Sequence, residues 1–203
     1  MRPFTTLRVA EAGVVLFAAH RARLGAEAAP AFEAFAAGAA PGVYGVLAGP
    51  GGRLEVTPRA GSRLFDGIPV RRVPSPLAPG LGARPKAPPP GPYDAVRTPG
   101  LATLLTDPAD AELWESCTAS VLAWDGAGLV AVPADRTRVD STAEGEVLRQ
   151  LAVRRAPVPV AAGWPLLLLN AVVLSCAPAG PAFPAEVRRA VDEVLLATAR
   201  RTR

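Results

Sequence analysis

The segment 114–126, WESCTASVLAWDG, constrains the fold of this chain more than any other. Val121, Leu122, Ala123 and Trp124 form an apolar run of strand length, and Asp125-Gly126 stops it with a turn, so the segment predicts a short buried strand. Glu115 closes the polar stretch before that run, which puts a carboxylate at the mouth of a rigid strand. Upstream, Lys86 is the single lysine in a chain with 22 Lys and Arg residues. A guanidinium effectively never deprotonates, so one ammonium group kept among arginines suggests an amine that must lose its proton. Lys86 is therefore the candidate nucleophile.

A lysine amine and a carboxylate on neighbouring strands suit pyridoxal 5'-phosphate (PLP). The amine forms a Schiff base with the cofactor, and the carboxylate keeps the pyridine nitrogen protonated. At this point the sequence resembles a known family. WESCTASVLAWDG is similar to the glutamate-to-Asp-Gly segment of the class IV aminotransferases, which include branched-chain aminotransferases, D-amino acid aminotransferase and aminodeoxychorismate lyase. FTTLRVAEAG (4–13), HRARL (20–24) and PGVYGVLAGPGGRLEVTPR (41–59) resemble the family's opening strand, its H-x-x-R-L piece and its following hairpin, in the same order. Lys86 precedes Glu115 by 29 residues, close to the family interval.

The resemblance implies an α+β, two-lobed class IV aminotransferase-like fold: a small N-terminal α/β lobe, 1–62, and a larger β-rich C-terminal cofactor-binding lobe, 63–203. It implies Lys86 as the Schiff-base residue and Glu115 as the partner of the pyridine nitrogen. Arg23, Ser141, Thr142 and Ser175 would bind the cofactor phosphate, and Tyr93 would lie over its phenolic oxygen. The substrate would be an amino acid or an aminodeoxychorismate-like amine, processed by transamination or lyase chemistry in a homodimer. Several residues depart from the pattern. Thr5 stands where glutamate is usual, Ser120 where asparagine is common, Ala177 where a threonine aligns, and the glycine and isoleucine of the family's G-I-T-R cup are missing. A family-fold protein that has lost PLP and serves as a binding or scaffold module therefore stays open as the alternative.

Composition narrows the remaining classes. With 203 residues, half of them hydrophobic and 20% charged, the chain can bury a core as one domain or two small ones. The net charge of +4 is spread over scattered arginines with only 5% aromatic residues and no recognition motif, which argues against nucleic acid. Cys117 and Cys176 form no C-x-x-C pair, and Met1-Arg2-Pro3 opens no secretory signal, so a reducing cytoplasm is expected. One histidine, His20, and two isolated cysteines make no ordinary zinc site, and no nucleophile elbow accompanies His20. The apolar run 164–177 is broken by Pro165 and Asn170 and falls short of the roughly 20 residues of a membrane helix.

Along the chain, periodicity predicts strands at 4–9 and 14–18, then helix over 18–37 with a break at Pro30. A hairpin follows at 42–58 around Gly49–Gly52, where no Gly-Lys-Ser or Gly-Lys-Thr supports a phosphate loop. Residues 60–67 form a linker and 68–73 a strand. The stretch 74–92 is rich in proline and glycine, and as an exposed polyproline loop it would make Lys86 incidental. Strands are expected at 101–106, 128–133, 158–160 and 166–175, with 107–111 as a turn. A helix over 139–155 opens on a capping box of Ser141 and Glu144. A closing amphipathic helix covers 184–200, with Val187, Val191, Val194 and Leu195 on one face, and the last residues, 199–203, form a solvated tail.

Overall fold

The computed structural model describes residues 2–61, 64–77, 83–84, 86, 88, 91–107, 109, 111–136 and 138–199, with 83 and 84 as backbone only. The expected C-terminal tail from residue 200, the lobe boundary at 62 and 63, and much of the proline-rich stretch around Lys86 lie outside the described residues.

The first sheet is built from β1 (Phe4–Ala10), β2 (Gly13–Val14), β3 (Gly42–Ala48) and β4 (Leu54–Arg59), in the order β2-β1-β3-β4, with all neighbours antiparallel. The second strand is shorter than expected. Leu16 takes a left-handed φ of 58° that turns the chain into α1 (Phe17–Leu24), so residues 17 and 18 are helical. The predicted break at Pro30 appears as two helices, α1 and α2 (Ala29–Gly38), with Pro30 in the first turn of α2, where its missing N–H costs nothing. Strand alternation then assigns two faces. Leu7, Val9, Val14, Val46 and Ala48 pack on the helices, where Phe17 stacks on Phe32 at 5.3 Å and Phe35 meets Tyr44 edge-on at 5.4 Å. Phe4 and Thr6 project from the opposite face.

Beyond residue 68 the chain forms three further sheets. Parallel β5 (Val70–Pro74) and antiparallel β8 (Leu113–Ser116) flank β7 (Ala102–Thr106). A two-residue parallel pair joins β6 (Ala83–Arg84) to β11 (Arg138–Val139). The largest sheet has the order β12-β10-β9-β13-β14, from β9 (Ser120–Trp124), β10 (Leu129–Ala131), β12 (Val153–Arg155), β13 (Leu166–Asn170) and β14 (Leu174–Cys176). Both of its faces are covered. Leu122, Leu129, Ala131, Leu167 and Leu169 pack under α3 (Thr142–Gln150) and α4 (Ala185–Ala197), while Val121, Ala123, Val130 and Leu168 meet Leu104 and Leu113 of the three-stranded sheet. That burial on both sides is why 166–169 reads as uninterrupted leucine rather than as alternation.

Three expectations need correction. The run 166–175 is a hairpin, not one strand, because the Asn170 side chain accepts from the N–H groups of Val172 and Val173 (both 2.9 Å) and folds the chain back. Residues 158–160 make only an isolated bridge, Glu112 to Pro159, before a short 3-10 turn. The helix expected over 139–155 stops at Gln150; Arg154 and Arg155 belong to β12. Among the described residues no helix is long and apolar enough to cross a membrane. The two halves share a core, since Val15 and Leu16 pack with Leu122, Val191 and Leu195, and the Leu16 N–H donates to Thr198 Oγ1 at 2.8 Å.

Candidate active site

A cavity of ≈300 Å³ lies where the outer face of the first sheet meets the ends of β8, β9 and β13 and the start of α3. Six of the seven residues singled out in the sequence line it: Lys86, Glu115, Arg23, Tyr93, Ser141 and Thr142.

Lys86 reaches the cavity beneath the first sheet. Its Nζ donates to Thr6 Oγ1 at 3.3 Å and lies 5.7 Å from the centroid of the Phe4 ring, so two consecutive outward residues of β1 hold it. Burial, then the Arg23 and Arg59 guanidiniums, lower the amine to about 8, with Glu115 pulling the other way. The exposed, incidental lysine of a polyproline loop is thus not what the structure contains. Arg59 shares the Phe4 ring at 5.7 Å on its own account and lies flat over Gly45, where a Cβ would stand 2.6 Å from the guanidinium Nε.

Glu115 sits within β8 rather than at the end of a polar loop, because Leu113, Trp114, Glu115 and Ser116 are all buried and pair with β7. Its Oε2 accepts from the Val139 N–H at 2.9 Å. Burial dominates and raises the carboxyl to about 8, against the lowering effects of the Val139 N–H, the nearby Tyr93 hydroxyl and the Arg138 guanidinium. Tyr93 is itself buried, with its hydroxyl close enough to Glu115 to act on the carboxyl and with no further hydrogen-bond partner among the described residues. Burial, then the Glu115 charge, push the phenol well above its ordinary range.

The third wall is cationic and faces a helix start. Arg23, in the last turn of α1, donates to the Asp140 carbonyl, and its guanidinium stands 3.6 Å from the Asp140 carboxylate with only 12% of its side chain exposed. Burial pulls its pKa down, and Asp140 opposes that. Ser141 caps α3, its Oγ accepting from the Glu144 N–H at 3.3 Å. The expected return half of the capping box is absent, because Glu144 is held by Arg138 and Arg155 instead. The first turn of α3, whose N–H groups no carbonyl of the helix can reach, starts at the cavity wall formed by Ser141 and Thr142.

Ser175 is the one of the seven that does not line the cavity. It is buried on β14 away from the cavity, with Oγ accepting from Arg188 Nε at 3.2 Å and the Arg188 guanidinium tied to Asp66 at 2.8 Å. The turn residues Asn170, Ala171 and Val172 line the cavity in its place. The signal was the single polar residue in an apolar run, which sequence reasoning took only as an interruption. Phe4, Thr6, Arg59 and Asp140 were also missed; β1 alternation opposite the helix-packed Leu7 and Val9 was the available clue. Thr5, on the helix face of β1, bonds to His20 Nδ1 at 2.7 Å, and the fully buried imidazole is held down to about 3 by burial, then Arg23 and Lys86. Among the described residues no group of three or more His, Cys, Asp or Glu could hold a metal ion.

No protein-family model matches the sequence, and no curated protein matches it. Solved structures do match. The 4-amino-4-deoxychorismate lyase from Pseudomonas aeruginosa is similar with a TM-score of 0.59 at 19% identity, covering 95% of this chain and 88% of that one. A hypothetical aminotransferase from Mycobacterium tuberculosis is similar in its PLP-bound form, with a TM-score of 0.66 at 18% identity over 97% of this chain and 89% of that one. Its form with α-ketoglutarate and PMP bound gives a TM-score of 0.68 at 17% identity, with the same coverage of 97% and 89%. At these identities the likeness is one of fold: the chain has the α+β fold of the aminodeoxychorismate lyases and class IV aminotransferases.

Proposed function

We propose that this protein is a PLP-dependent enzyme of the class IV aminotransferase type that acts on a carboxylate-bearing amino substrate by transamination or lyase chemistry. The observation that carries the reading is the meeting of the sole lysine and the buried Glu115 in one cavity. The fold supports it too, since a PLP-bound protein shares it. The cavity suits the cofactor on its own terms. Among the described residues, the buried Ser120 hydroxyl that lines it has no hydrogen-bond partner and the Tyr93 hydroxyl has none beyond Glu115, while Arg23 with the start of α3 offers a cation and helix-terminal N–H groups fit for a phosphate dianion.

PLP, when bound, supplies an electrophilic aldehyde and a ring that accepts an electron pair. The protein's own groups do the rest. Lys86 Nζ, held at Thr6 and lowered to about 8, presents a lone pair at a fraction of sites near neutral pH and can take up or return a proton at the reacting carbon. Glu115, raised to about 8 before any cofactor arrives, holds a proton it can share with a ring nitrogen while Val139 fixes its other oxygen. Tyr93 Oη, beside Glu115 in the cavity wall, can donate to an oxygen substituent. Arg59, with no ion-pair partner among the described residues, is suited to hold a substrate carboxylate over Phe4.

The reading includes two lobes divided at 62 and 63 and a homodimer, for which the sequence resemblance is the support, and a cytoplasmic location, which the two free cysteines favour. Addition of PLP to the purified protein is expected to give a visible absorption band that borohydride abolishes, with a single pyridoxyl adduct on Lys86 and none in Lys86→Ala. A colourless protein that takes up no PLP would favour the scaffold alternative, and sedimentation would test the dimer.

A further inference from the structure

Residues 139–142 line the cavity and connect Glu115, Arg23 and the start of α3. Val139 donates its N–H to Glu115 at 2.9 Å. The same short strand, β11, runs parallel to β6, with Val139 opposite Arg84, two residues before Lys86. Asp140 receives the Arg23 guanidinium, and Ser141 caps α3. A parallel pairing two residues long cannot hold itself in register, so something else must fix it. The side chain beside Val139 does so. Arg138 is 5% exposed and donates to Glu144, which is 2% exposed. Arg155 stands 3.2 Å from the other Glu144 oxygen and is fastened to the Val132 carbonyl at 2.6 Å, at the end of β10 in the largest sheet.

We propose that Arg138 is a positioning residue: the buried Arg138–Glu144–Arg155 strap anchors β11 to the largest sheet and so sets where Lys86 stands relative to Glu115. The proposal rests on the reading of Lys86 and Glu115 given above. A buried ion pair is seldom kept for stability, because apolar side chains of similar volume often serve as well or better. This pair also lies outside the cavity lining, and it bears on Glu115 by charge alone, Arg138 lowering the carboxyl and Glu144 raising it. Its cost is explained if it holds a segment in place, as polar contacts that set register do.

The test is the double replacement Arg138→Met with Glu144→Met, which removes one charge of each sign and leaves the local net charge unchanged. Reductive ¹³C-methylation of the cofactor-free protein gives one side-chain resonance, because Lys86 is the only lysine. In the double variant the urea midpoint is expected to stay at the parent value. The Lys86 titration should climb from about 8 toward the ordinary 10.5 by about one pH unit or more as its segment loosens into water, and the Val139 amide should exchange at least about tenfold faster. Arg138→Lys, which keeps the ion pair and adds a second methylamine resonance that is assigned by comparison with the parent, should hold the Lys86 titration and the Val139 exchange near the parent. A double variant that keeps the Lys86 titration and the Val139 protection overturns the proposal. An unfolded one overturns it as well, because the pair would then hold the fold rather than the site. None of these readouts needs PLP, so a parent protein that forms no adduct at Lys86 would sink the enzymatic reading separately.

Discussion

Arg59→Gln tests the electrostatics of the site most directly. The Lys86 ammonium and the Arg59 guanidinium each lie 5.7 Å from the centroid of Phe4, so they are no more than about 11 Å apart. At that separation and an effective dielectric of about 20, two like charges repel by about 1.5 kcal/mol. Salt at 0.1 M, with a Debye length near 10 Å, would cut this to about a third for exposed charges and cuts it less for a buried amine. Removing the Arg59 charge should therefore raise the Lys86 pKa by at least about 0.4 at 0.1 M salt and at least about 0.8 at 0.01 M. The sign follows because a lost cation relieves the protonated amine. With the parent near 8, about one amine in ten is neutral at pH 7, against about one in three thousand for an ordinary lysine. Competitive acetylation followed by mass spectrometry of the Lys86 peptide reads that fraction. Labelling at pH 7 should fall at least about 2.5-fold in the variant at 0.1 M salt. A parent midpoint near 10.5 would refute the effect of burial, and a variant midpoint unmoved at low salt would refute the coupling of the two cations.

Two further outcomes concern stability. Burial raises the Glu115 carboxyl from 4.5 to about 8, so the folded cofactor-free protein binds the extra proton. That contribution is complete below pH 4.5 and lost as pH rises through 8. His20, lowered from 6.5 to about 3, acts oppositely, with its contribution present above 6.5 and lost as pH falls toward 3. Urea denaturation between pH 6.5 and 8 should therefore show stability falling with pH in the parent and a flatter slope in Glu115→Gln; equal slopes would contradict the buried acid. Gly52→Ala should cost about 1–3 kcal/mol, read as a lower urea midpoint, since Gly52 has φ +70° and a Cβ there would stand 2.2 Å from the Glu27 carbonyl oxygen. An unchanged midpoint would mean that the hairpin shifts freely.

Local rules carried much of the fold. The β3–β4 hairpin, the break at Pro30, the Ser141 cap and the turn after Trp124 each follow from a few adjacent residues, and the structure has all of them. Failures came where partners are distant in sequence. Glu115 looked like loop because 113–116 lacks alternation, yet a strand buried on every side need not alternate. Ser175 lies outside the cavity lining and accepts from Arg188, thirteen residues on, a partner that no local pattern announces. The strap through Arg138, Glu144 and Arg155 has no motif at all; its three members sit on β11, α3 and β12 and meet only after folding. Lys86 could be singled out because rarity is visible in composition, while the Thr6 and Phe4 that hold it are ordinary residues of a strand.

The bond from the Leu16 N–H to Thr198 Oγ1 spans nearly the whole chain, and Leu16 rests on Val191 and Leu195 of the closing helix. During synthesis at about 5–20 residues per second, the nascent amino-terminal sheet must wait on the order of ten to forty seconds for that helix to leave the ribosome. Over that interval Val15 and Leu16 lack the cover of Val191 and Leu195, so the final turns of α4 complete the burial of residues synthesised long before them.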